Sequence, residues 1–397
     1  MSTLTWLDFS DVERKRALQV VELLGRKDTR DELGLGAVRD AFANALFPGM
    51  STVQRRAAYF LIVPWTFRMI ERRRPRSGAA IEHVRWHELR MIDALLSNGD
   101  RDGVIGGRVG QGLRQLPSMI YWSGLGRWGI RHSDGTREQW SRAVERGLVV
   151  THDDDGQVVL GDGQTSWWDA GLPEPPGGFP QEVSLTLRPE DGAYLRARII
   201  DRCPGTVLAA LAQRARPWQP TALPWELEMP ELTSTQSDLL QHAQRFSERM
   251  NGAALLYNHA LAVAFDDDLL MDEYARRLRE WADRERALPP IELEETWAML
   301  ERLGSRHTPR TSRFVERWND LARDAGSVIS DRRFVDCVRE RELEVKRKQA
   351  RLSFPAARET WRGAAGVDQL EYRWSSTQRQ LLDIVTAGQG SADARAR

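Results

Sequence analysis

From position 234 to about 350, apolar residues recur at intervals of three and four almost without a break, in segments near 234–264, 267–287, 291–303, 311–325 and 330–351. That period belongs to helices, not strands. Amphipathic helices of this length bury their apolar faces against one another, so this half of the chain is predicted to be an all-α bundle. Just upstream, LTLRPEDGAYLRARIIDRCPGTVLAALA reads as two short helices divided at Pro204-Gly205. Before it, GLPEPPGGFP at 171–180 carries too much Pro and Gly for either a helix or a sheet ladder and reads as a linker.

The first ninety residues also follow the helical period. In 31–47, Leu35, Val38, Phe42 and Leu46 share a face with Ala41 and Ala45, and Asp31 and Glu32 stand at the start, where the helix dipole favours acids. Pro48-Gly49 ends that helix. Ser51 is expected to cap a second helix over 52–63, with Pro64 dividing it from a third over 65–74 that ends in Arg72-Arg73-Arg74. A fourth covers roughly 79–97.

After the Gly-rich loop GVIGGRVGQG at 103–112, Pro117 opens a helix over 117–131, and Thr136 is placed to cap another over 137–147. The β-branched runs LVVTH (148–152) and QVVLGD (157–162), joined by Asp-Asp-Asp-Gly, then predict a hairpin. Helix, helix, hairpin is the order of a winged helix-turn-helix. The expected fold is therefore mainly α, with a helical N-terminal module at 1–102 and a central winged-helix-like α+β module at 103–170. A linker at 171–184, the helical bundle at 185–387 and a frayed tail at 388–397 complete it.

A chain of 397 residues suits two or three such domains. The longest apolar stretch, AAYFLIVPW at 57–65, is too short to span a bilayer. The first fifteen residues carry acids and no apolar segment, unlike a signal peptide, and two cysteines are too few for a disulfide framework or a zinc site. These features point to the cytoplasm, with no membrane partner. The formal charge is zero but unevenly spread, with 16 Lys+Arg against 11 Asp+Glu in residues 1–90. Only four of the 57 basic residues are Lys, so the abundance of Arg reflects overall composition as much as any polyanion partner.

If residues 137–147 form a recognition helix, Arg137, Gln139, Arg142 and Arg146 are types that reach phosphates or base edges, and the run Arg72, Arg73 and Arg74 offers further phosphate contacts. Asp153-Asp154-Asp155 at the wing tip opposes this, because a phosphate backbone repels it. His83 and His87 stand four apart, the spacing of a metal pair, but Val84 and Trp86 occupy the places where a zincin or its inverted form needs Glu; a core-edge or solvated pair is the plainer reading. Asp336 with Glu344-Val345-Lys346 imitates a nuclease carboxylate set but falls on one charged helix, and Glu13-Arg14-Lys15 is no stronger. The Gly-rich loop lacks the Lys and Ser/Thr of a phosphate-binding loop, and there is no G-x-S-x-G elbow. Two Arg-Asp steps, Arg30-Asp31 and Arg39-Asp40, read as helix-packing ion pairs or as a site of unknown role. No catalytic set, cofactor site or metal site is assembled from these residues.

The segment RDELGLGAVRDAFANALFPGMSTVQRRAAYFLIVPW (30–65), with LTWLDFS (4–10), LPSMIYWSGLGRWGI (116–130) and WSSTQRQLLDIV (374–385), resembles an uncharacterised bacterial family known only as a domain of unknown function. The resemblance implies a bacterial source and a loose link to anti-phage defence loci, beside a helicase or a phospholipase-D-like protein, and carries over no catalytic residue. The leading expectation is a non-enzymatic, nucleic-acid-associated accessory subunit of such a complex, with DNA as a partner. A protein-docking scaffold without nucleic-acid contact is the alternative, and a metal-dependent nuclease the second alternative.

Overall fold

The computed structural model describes residues 31–73, 79–146, 151–152, 158–159 and 166–395. The chain is all-α. It divides into two compact units, one of residues 1–42 with 238–372, the other of 43–237 with 373–397. The segment 171–184, expected as a linker, lies within the second of these.

In the first unit, α8 (Ser234–Phe265), α9 (Asp268–Ala287), α10 (Leu293–Arg302), α11 (Pro309–Leu321), α12 (Arg332–Lys346) and the short α13 (Pro355–Arg358) follow in order. Large rings fill the centre. Trp281 and Trp318 are fully buried and donate their indole N–H groups to the α8 carbonyls of Glu248 and Arg249, each at 2.8 Å. This satisfies the one polar atom each ring brings into the core. Gly252 is what allows α9 so close: a Cβ there would stand 2.2 Å from the Trp281 ring.

In the second unit, α2 (Tyr59–Arg73) is the central element, and its residues from Tyr59 through Phe67 are buried. Pro64 does not separate two helices; it sits inside one, and the helix starts at Tyr59, well beyond Ser51. Burial on nearly every side outweighs the single backbone hydrogen bond that proline removes. Around α2 stand α3 (Ala80–Ser97), α4 (Pro117–Arg127) and α5 (Arg137–Glu145), with the Phe60 ring stacked on Trp128 at 3.9 Å between centroids. Later in the chain come α6 (Pro189–Arg202) and α7 (Val207–Ala212), and α6 packs against α14 (Trp374–Arg395).

The winged-helix expectation is overturned. Among the described residues, β pairing amounts to Thr151 with Val159, His152 with Val158, and an isolated bridge between Arg131 and Trp168. Two residues per strand make no wing sheet. The β-branched runs that suggested one report a local preference, and strand propensity is realised only where a sheet surface exists to pack on. Helix α5 is not a free-standing reading head either. Trp140 lies at its centre, fully buried, and donates to Glu71 Oε1 of α2 at 2.6 Å.

Candidate functional site

The C-terminal half of α2 sets out the candidate site. Trp65, Met69, Arg72 and Arg68 recur at helical spacing, so one face of the helix changes from apolar to cationic towards its end. A helix C-terminus is where guanidinium groups are best tolerated. Opposite this face runs Glu174-Pro175-Pro176-Gly177 with Phe179, and the two walls enclose a half-open cleft of about 380 Å³. Trp65, which lines the cleft, is buried; its indole N–H donates to the Pro173 carbonyl at 2.6 Å and its ring meets Phe179 edge-on at 5.8 Å. The opposite wall is fixed by Arg188, which donates to the Glu174 carbonyl at 2.8 Å while gripping Asp191 with two nitrogens.

Charge on the rim is unbalanced. Arg68, Arg72 and Arg73 line the cleft with one carboxylate, Glu174, which lies 3.1 Å from Arg68 and 3.5 Å from Arg72. The Glu174 side chain is 61% exposed, so these pairs contribute little to stability. Arg73 reaches the other way, its Nη1 lying 3.3 Å from Nε2 of His87 on α3.

Beneath the cleft the same helix buries an acid. Both Trp140 and Trp168 donate their indole N–H groups to Glu71 Oε1, yet burial pushes the carboxyl up to about 7. Glu88 on α3 is its counterpart. It accepts from the backbone N–H and hydroxyl of Ser118 at 2.7 and 2.9 Å, and burial raises it to about 7 as well. Both acids are held inside the core by neutral donors.

The structure scatters the other residues singled out from sequence. Of the basic run, Arg72 and Arg73 line the cleft, whereas Arg74 lies outside the described residues. Arg137 turns towards the protein, donating to the Ser118 hydroxyl at 3.2 Å. Gln139 closes a capping box with Thr136 at the start of α5. Arg142 and Arg146 are exposed. Arg30 lies outside the described residues, while Asp31 accepts from the backbone N–H groups of Leu35 and Gly36, at the start of α1 (Gly36–Leu46). Arg39 pairs with its neighbour Asp40 at 3.2 Å.

The metal-like constellations come apart in the same way. His83 is exposed and His87 is buried beside Arg73. Asp336 pairs with Arg332 and Arg339, Glu344 with Arg310 and Arg341, and Lys346 with Glu32. Among the described residues no group of three His, Cys, Asp or Glu side chains gathers as metal ligands would. Among them, too, no helix is long and apolar enough to cross a membrane.

Sequence reasoning did not reach Arg68, Trp65 and Phe179 as one site, nor Glu174 as its counter-charge. Spacing along α2 could have joined Trp65, Arg68 and Arg72; nothing local ties them to a Pro-Gly segment about a hundred residues away.

A family model of a family of unknown function, DUF6361, matches residues 1–388. The chain belongs to that family. No curated protein and no solved structure matches it. The resemblance carried by the 30–65, 116–130 and 374–385 segments is thus to this DUF6361 family, and the cleft lies on α2 and the 174–179 wall within its matched span.

Proposed function

We propose that this protein is a nucleic-acid-associated accessory subunit that holds a single strand in the arginine cleft of α2. One observation carries the reading: three guanidinium groups, an apolar floor of Trp65 and Met69 and the half-buried Phe179 ring line one cleft. Grooves that pair backbone cations with aromatic side chains are suited to unpaired strands, whose phosphates and bases are both accessible. A half-open cleft of this size admits a nucleotide more readily than a duplex. In the setting that the family resemblance implied, a helicase would be one source of such a strand.

Fluorescence anisotropy with labelled single-stranded and duplex oligonucleotides, at several salt concentrations, tests the reading. Single strands are expected to bind more tightly. Arg68→Ala with Arg72→Ala is expected to weaken binding and to lower the log–log salt slope by about 0.7 for each phosphate that is no longer neutralised. Unchanged affinity and slope in that variant would overturn it.

A second reading has its own observation. Glu174 already lies against Arg68 and Arg72, so the cleft accepts a carboxylate, and an acidic segment of a protein partner could replace it. That reading expects binding of an acidic peptide and none of either oligonucleotide.

A further inference from the structure

The outer face of α3 carries Arg85, Trp86 and Arg90 between the exposed acids Glu82 and Asp93, and Arg73 lies between this helix and the cleft. Arg73 lines the cleft and also lies 3.3 Å from His87 Nε2. A guanidinium group has only donors, so Nε2 accepts and the ring is neutral, with its proton on Nδ1. Burial, and then Arg73, His83 and Arg90, press the His87 pKa down to about 4.

Beside them stands Trp86, with 51% of its surface exposed. Its ring meets His87 edge-on at 4.6 Å, and the Arg90 guanidinium lies over it at 4.8 Å from the centroid. Burial is the usual fate of an indole in this chain: six other tryptophans are fully buried. Trp86 is instead exposed, between Glu82 and Arg90 along one face of α3.

We propose that a strand seated in the α2 cleft continues past Arg73 onto α3, where its next phosphates meet Arg73 and Arg90 and a base stacks on Trp86. The inference rests on the nucleic-acid reading of the cleft. Its support is that Arg73 both lines the cleft and reaches α3, where Arg90 lies over the exposed indole beside it. Flat rings with neighbouring guanidinium groups stack bases without regard to sequence, so the ligand class is a single strand of any base composition.

The experiment uses the full chain and oligothymidylates of increasing length, each with a matched strand made abasic at one end or the other. Trp86→Ala is expected to weaken the longer oligonucleotides by about tenfold, leave the shortest unaffected and have no effect on strands abasic at the end that reaches Trp86. Trp86→Phe is expected to keep most of the affinity, and Arg90→Gln to lower the salt slope for long strands only. These two variants decide the matter should Trp86→Ala fail to fold. If Trp86→Ala binds every length like wild type while Arg68→Ala with Arg72→Ala does not, the extension is wrong and the cleft reading stands. If neither set of changes matters, both fall. A loss with Trp86→Ala that is equal for abasic and base-bearing strands would also overturn the stacking.

Discussion

Trp140 of α5 donates its indole N–H to Glu71 Oε1 of α2 at 2.6 Å, and the acid that receives it is buried. Trp168 donates to the same oxygen at 2.9 Å, so a single carboxylate oxygen ties three separate parts of the second unit together. Burial holds this group near pH 7 rather than at its ordinary 4.5.

The consequence is a pH-dependent stability whose sign is fixed. The folded chain binds the Glu71 proton more tightly than the unfolded chain does. The stability this provides is present in full below about pH 4.5 and is lost as pH rises through about 7. Glu88 adds to the same limb. Glu71→Gln keeps an oxygen for the two indoles and cannot ionise. Urea denaturation is expected to place it close to wild type at pH 5 and to shift the difference in its favour by roughly 2–3 kcal/mol at pH 8. A difference that does not change with pH would mean that Glu71 titrates like an exposed acid.

The first unit has its own buried carboxylate, and its removal tests a different effect. Glu342 accepts from the Tyr257 hydroxyl and from the backbone N–H groups of Arg351 and Leu352, at 2.7, 2.7 and 2.9 Å. Glu342→Ala leaves all three donors buried without an acceptor and is expected to destabilise this unit by about 4 kcal/mol. Glu342→Gln keeps one oxygen and is expected to cost less than half of that. Thermal unfolding of both variants checks the ratio; equal losses would show that the charge, and not the acceptor, matters.

Helix α5 supplies a negative control for the cleft. Arg142 and Arg146 are exposed and one turn apart, with Arg142 Nε also donating to the Glu138 carbonyl at 3.3 Å. If the strand runs through the α2 cleft and over α3, replacing both with Ala is expected to leave the salt slope of oligonucleotide binding unchanged. A fall of about 0.7 or more would make α5 a phosphate-binding element in its own right.

How much of this was legible depended on how local the cause was. The helix following Thr136 was, because its cap and the Gln139 that completes the box lie three residues apart. So were the helices from 234 onward, whose observed limits fall within a few residues of the apolar period. Pro64 misled because its tolerance is set by packing around α2, which no window of sequence contains. The runs at 148–162 misled in the opposite direction: among their described residues the pairing joins only Thr151 with Val159 and His152 with Val158, too little for a wing. The cleft was half legible. Arg72 and Arg73 stood out as a cationic run, but whether a run is a solvated helix end or the wall of a site is decided by what faces it. Here that is Glu174 to Phe179, a segment whose Pro and Gly content read only as a linker.

Glu174 therefore offers the most direct test of the cleft. It is the one carboxylate on a rim with three guanidinium groups, and its side chain is mostly exposed. Glu174→Gln keeps the size of the side chain and the backbone carbonyl that Arg188 holds. Freed of this competitor, Arg68 and Arg72 are expected to bind a single strand several-fold more tightly at low salt, with the gain shrinking as salt screens the rim. The log–log salt slope should steepen, since phosphates replace an internal counter-charge. Glu174→Lys should exceed Glu174→Gln in the same direction. Anisotropy titrations of the two variants against wild type, at low and high salt, read all of this directly. If removing the carboxylate weakens binding instead, Glu174 is part of the recognition surface, and the ligand of the cleft brings positive charge or hydrogen-bond donors rather than phosphates.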